Sequence, residues 1–171
     1  MTRFLRTILA AIGGVALLAA SAGGGLAQSA ALDQQLAGSW RLMQDGAKDD
    51  GLGPDTAGIL MISGGTFALQ IVNADMAPFA SNEKRRATPA ENQASGKGSL
   101  AYFGSYMVSD ATHGLVLHVV HGSFPNLNGS DQKWTVSVTP DKLTLTQANG
   151  AVLVWARITH RDSSGRHIIG F

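Results

Sequence analysis

Gln132-Lys133-Trp134-Thr135-Val136-Ser137-Val138-Thr139-Pro140-Asp141-Lys142-Leu143-Thr144-Leu145-Thr146-Gln147-Ala148-Asn149-Gly150-Ala151-Val152-Leu153-Val154-Trp155-Ala156-Arg157-Ile158-Thr159 is the stretch that decides the fold. It holds three short runs rich in β-branched, aromatic and apolar residues: Gln132 to Thr139, Lys142 to Gln147 and Ala151 to Thr159. Such runs read as strands. Pro140-Asp141 and Asn149-Gly150 leave room for little more than hairpin turns, so the three strands are antiparallel neighbours.

The same grammar extends upstream. Five further runs, Gly38 to Gln44, Ala57 to Ser63, Thr66 to Asn73, Leu100 to Ser109 and Gly114 to Ser123, are separated by Gly, Asn, Asp and Pro. Gly64-Gly65 and the segment Asp110 to His113 are again tight connections. One connection is long, between the third and fourth strands. It contains Thr88-Pro89-Ala90-Glu91, the spacing of a capping box with proline at the first helical position, which predicts one short helix over Pro89 to Lys97. Eight sequential antiparallel strands can close on themselves and remove the exposed edges of an open sheet. The expected fold is an all-β, eight-stranded, up-and-down barrel.

The first 27 residues read differently. Arg3 and Arg6 precede an apolar run from Ile8 to Ala20, followed by small residues up to Ala27, the plan of a secretory signal peptide. The run is shorter than the roughly 20 residues that span a bilayer. Cleavage is expected near Ala27, leaving a domain over 28–160 and a flexible tail over 161–171, in a periplasmic or secreted location. The chain has no cysteine, which excludes a disulfide framework and a lipid-modified cysteine. Without the leader's two arginines, 11 basic residues face 12 acidic ones, so charge does not point to nucleic acid or an anionic membrane.

Gly38-Ser39-Trp40 at the start of the first strand and Arg157 near the end of the last are accompanied by an ordered series. The series runs through Gly53-Pro54-Asp55, Gln70-Ile71-Val72, Thr88-Pro89-Ala90-Glu91, Ala101-Tyr102-Phe103-Gly104-Ser105-Tyr106, Gly122-Ser123-Phe124-Pro125-Asn126, Asp131-Gln132 and Leu153-Val154-Trp155-Ala156-Arg157. Together they resemble the bacterial and fungal lipocalin-like domain family over nearly the whole mature chain. The resemblance implies a lipocalin-like barrel with a small-molecule pocket, in which Trp40 and Arg157 stack as a structural lock at the closed end. The sequence departs from the family's pattern in the helix region, where Asn92, Gly96 and Ser99 stand in place of bulkier residues.

Residues able to carry chemistry are few. Tyr102 and Tyr106 share one face of the fourth strand with Gly104 between them, while Phe103, Ser105 and Met107 share the other. In the fifth strand His118 and His121 lie three apart and face opposite sides of a regular strand, so they do not chelate one metal. One of the two histidines is expected to face inward unless a bulge intervenes, and His118 stands in a row with Val116 and Val120 on its own face. Tyr102, Tyr106, His118, Gln70 and Trp134 are the pocket candidates; Gln70 has solvent as its alternative setting, and Trp134 and Trp155 are read as core or wall residues. No metal site and no cofactor is expected, and no nucleophile elbow, phosphate-cradling loop or dinucleotide fingerprint occurs.

Two function classes follow. The first is an exported protein binding one small hydrophobic or amphipathic molecule in the barrel. The alternative is an isomerase or cyclase acting on a hydrophobic carbonyl compound, with His118 and Tyr102 or Tyr106 as acid and base. The latter requires those groups in one cavity. A membrane-embedded barrel is disfavoured by the scarcity of aromatic girdle residues and by Asp131, Lys133 and Arg157 in or beside strands. Oligomeric state is left open by the sequence.

Overall fold

A computed structural model of the chain describes residues 31–43, 55–109 and 112–159. The expected leader over 1–27 and the expected tail over 161–171 lie outside the described residues. Eight strands occur: β1 (Gly38–Leu42), β2 (Thr56–Ser63), β3 (Thr66–Asn73), β4 (Ser99–Ser109), β5 (Gly114–Gly122), β6 (Asp131–Val138), β7 (Lys142–Thr146) and β8 (Val152–Arg157). Each pairs antiparallel with the next, and β1 pairs with β8 through Trp40↔Arg157, Arg41↔Ala156 and Leu42↔Trp155. The sheet is therefore a closed up-and-down barrel in sequence order.

The period-2 alternation of each strand sorts side chains into an inner and an outer set. Leu60 and Ile62 of β2, Phe67, Leu69 and Ile71 of β3, Leu115, Leu117 and Val119 of β5, Leu143 and Leu145 of β7, and Trp155 of β8 are all buried. Between them on β6 the outward residues Asp131, Lys133, Thr135 and Ser137 are exposed. Among the described residues no helix is long and apolar enough to cross a membrane.

The helix between β3 and β4 forms over Pro89–Lys97, as the capping box predicts. Thr88 Oγ1 accepts from the Glu91 N–H at 3.3 Å and Glu91 Oε2 accepts from the Thr88 N–H at 2.6 Å. Glu91 Oε1 also accepts from the Ala80 N–H at 2.7 Å, which ties the helix to its own approach segment. These donors, the backbone bonds to Ala80 and Thr88 foremost, hold the Glu91 carboxyl below its ordinary range. The helix buries none of its residues.

A second helical segment, 31–36, was not expected from the sequence. It lies just before β1, with Leu36 fully buried and Leu32 packed on the core. The two leucines stand at i and i+4, the spacing that puts both on one helix face. We label this segment α1 and the helix Pro89–Lys97 α2.

Candidate functional site

Strand direction assigns the connections to two ends. Residues 64–65, 112–113 and 140–141 share an end with the start of β1 and with α1. The connections 74–98, 123–130 and 147–151 frame the other end.

The α1 end is shut. The Trp40 indole N–H donates to the Leu36 carbonyl at 2.9 Å. The Arg157 guanidinium lies 4.0 Å over the Trp40 ring. Its Nη1 and Nη2 donate to the Ala37 and Gln35 carbonyls at 2.8 and 2.6 Å, and its Nε donates to the Pro140 carbonyl at 2.5 Å. The guanidinium fork thus satisfies the carbonyls that a helix C-terminus leaves unpaired, where positive charge is favoured. Gly38 has to be glycine here, with φ at 136° and the position of a Cβ only 2.8 Å from Arg157 Nη1. The lock implied by Gly38-Ser39-Trp40 and Arg157 is present in full, and α1 is the element it locks.

Tyr102 and Tyr106 share one face of β4, as their spacing requires, and that face is the inner one. Their situations differ. The Tyr106 hydroxyl donates to Asp33 of α1 at 2.5 Å, so this phenol is part of the closure. Burial, reinforced by the Asp33 carboxylate, pushes the phenol up to about 12. Tyr102 stands two inward positions further toward the opposite end, beyond Gly104, packed edge-on against Phe67 with ring centroids 5.8 Å apart. Burial pushes it, too, up to about 12, so its hydroxyl is a neutral donor at any ordinary pH. Trp134 is likewise on the inner wall.

His118 and Gln70 are not. Both are exposed on the outer surface, which corrects their assignment as pocket residues. The physical reason for His118 is that it alternates with Leu115, Leu117 and Val119, which are buried and therefore own the inner face of β5. A bulge then resets the count. Gly104 pairs with Val119 while Phe103 pairs with His121, so Val120 is the extra residue and His121 also turns outward. Gly104 makes the bulge feasible, since a Cβ there would stand 1.9 Å from the His118 carbonyl oxygen. His118 Nδ1 lies 2.8 Å from Asp131 Oδ1 on the outer face of β6. The acid/base set of His118 with Tyr102 and Tyr106 is therefore not assembled, because the sheet itself separates the histidine from the phenols. Gln70 and His121 border an outer groove of about 360 Å³ with Met61, Ala68 and Phe103.

Two features, one on the inner wall and one on α1, escape a reading of the sequence alone. Thr56 opens the inner series of β2 and is 2% exposed, and Asp33 reaches the barrel only through α1. The alternation Thr56, Gly58, Leu60, Ile62 was the available signal for Thr56. For Asp33 it was the Leu32 and Leu36 spacing around it. Among the described residues, no group of three or more metal-ligating side chains exists.

A closed eight-stranded meander with one end plugged and an apolar inner wall belongs to the class of small β-barrels whose interior is filled by side chains or holds one small ligand. The model of a family described as a lipocalin-like domain matches residues 37–162. The chain belongs to that family, and with its barrel this supports a binding protein of lipocalin type. Neither a curated protein nor a solved structure matches the chain.

Proposed function

We propose that this protein binds one small hydrophobic or amphipathic molecule in the barrel interior, after export to the periplasm or beyond. The observation that carries the reading is the asymmetry of the two ends. The α1 end is sealed by Arg157, Trp40 and the Tyr106–Asp33 bond, whereas at the opposite end α2 contributes no buried side chain to fill the opening. An eight-stranded barrel has an interior just wide enough for side chains or one small ligand. Export is supported by the charged, apolar and small-residue succession of 1–27.

Native mass spectrometry of the protein isolated from its own host, followed by titration with the neutral fluorophore N-phenyl-1-naphthylamine, tests the proposal. A co-purifying small molecule at one per chain, or saturable 1:1 uptake of the fluorophore, is the expected result. A ligand-free mass together with no saturable uptake overturns it.

A further inference from the structure

The inner wall holds three polar atoms that are buried and without a hydrogen-bond partner among the described residues: Thr56 Oγ1, Trp134 Nε1 and Trp155 Nε1. They come from β2, β6 and β8, and the inward phenol of Tyr102 on β4 adds a polar group from the remaining even-numbered strand. Their residues are at most 7% exposed, so bulk water does not satisfy them. A buried donor left unpaired forfeits its hydration with nothing in return, which is why such atoms in folded proteins nearly always have a partner.

The chemistry of these atoms constrains the partner. An indole N–H donates and never accepts, and the Tyr102 hydroxyl stays protonated, so the wall offers donors. Arg157 is the one charged inner-face residue of β1 to β8 among the described ones, and its guanidinium is already engaged at the sealed end by the Trp40 ring and the Gln35, Ala37 and Pro140 carbonyls, as the Asp33 carboxylate is by Tyr106. A carboxylate brought further inside would lose its hydration with no unengaged cation to meet it. An ammonium would find no carboxylate on the inner strand faces and only the hydroxyl oxygens of Thr56 and Tyr102 to accept from it, too little to offset its lost hydration.

Resting on the binding reading above, we infer that the ligand is an uncharged, largely apolar molecule bearing at least one oxygen acceptor, such as a ketone, ester or ether oxygen, that takes hydrogen bonds from Trp134, Trp155, Thr56 or Tyr102. The apolar remainder of the molecule packs against the leucines and Phe67. Such an interior selects for an acceptor and against either sign of charge.

Displacement of N-phenyl-1-naphthylamine by 2-octanone, octanoate and n-octane at neutral pH separates the terms. The ketone is expected to displace at least tenfold better than the carboxylate and several-fold better than the alkane. Trp134→Phe keeps an aromatic wall but removes one donor, and narrows the ketone-to-alkane ratio. Octanoate matching or surpassing the ketone overturns the inference, as does a ketone-to-alkane ratio near one, which would leave the buried donors to internal water. Failure of all three compounds and of the fluorophore itself removes the binding reading, and this inference with it.

Discussion

Replacing Arg157 tests how the barrel is closed. In Arg157→Lys the positive charge stays near the C-terminus of α1, but the planar fork is lost, and with it the simultaneous reach to Gln35, Ala37 and Pro140. A hydrogen bond from a charged group contributes about 1.5–3 kcal/mol when shielded and well under that when exposed. Of the three bonds, only the one to Ala37 is partly buried. The stack on the fully buried Trp40 adds roughly 0.5–2 kcal/mol. Arg157→Lys is therefore expected to lose about 2 kcal/mol and Arg157→Ala about 3 kcal/mol, read by urea unfolding with tryptophan emission as the probe. For a domain of this size the lysine variant should melt about 6–10 °C lower. A double-mutant cycle with Trp40→Phe should return a coupling of about 0.5–2 kcal/mol. A lysine variant within about 0.5 kcal/mol of the native protein refutes the clasp as a source of stability.

The remaining expectations concern the barrel wall. The two tyrosines of the chain are Tyr102 and Tyr106, both pushed up to about 12, so the native protein should show almost no phenolate absorbance at 295 nm at pH 10.5, whereas the urea-unfolded chain titrates near 10. Because the folded phenols hold their protons more tightly than the unfolded ones, their contribution to stability is complete below pH 10 and is lost as pH rises from 10 through 12; normal titration in the native state would contradict their burial. Gly104→Ala should cost more than about 3 kcal/mol, or abolish soluble folding, because its Cβ meets the backbone carbonyl of His118; a melting temperature within about 3 °C of native would show that the bulge relaxes easily. His118→Ala, by contrast, removes an exposed pair with Asp131 and should change stability by less than about 1 kcal/mol and leave N-phenyl-1-naphthylamine affinity unchanged; a large affinity loss would place His118 in the binding site after all.

What the sequence revealed and what it withheld separate along a physical line. Strand number, order and pairing were legible because two-residue turns such as Gly64-Gly65 and Pro140-Asp141 permit one arrangement, and the capping box fixed the start of α2 through a local hydrogen-bond pattern. That Tyr102 and Tyr106 share a face followed from parity within one unbroken run of β4, whereas that this face is the inner one did not. Parity failed in β5, because a bulge is decided by pairing with a neighbour: Gly104 on β4 is what admits Val120 as the extra residue, and no count along β5 reveals it. His118 shows the deeper limit. Both faces of β5 carry apolar residues, Leu115 and Leu117 on one, Val116 and Val120 on the other, so hydrophobicity alone does not choose between them. The choice is made by volume, since the larger leucines fill the interior while the valine row and its histidine are left outside. Asp33 was invisible for a related reason, as its importance depends on α1 folding back under the barrel to meet Tyr106, a contact between residues 73 positions apart. A site assembled inside a closed sheet is thus legible strand by strand, but which row is inside becomes decidable only when the neighbouring rows are packed against it.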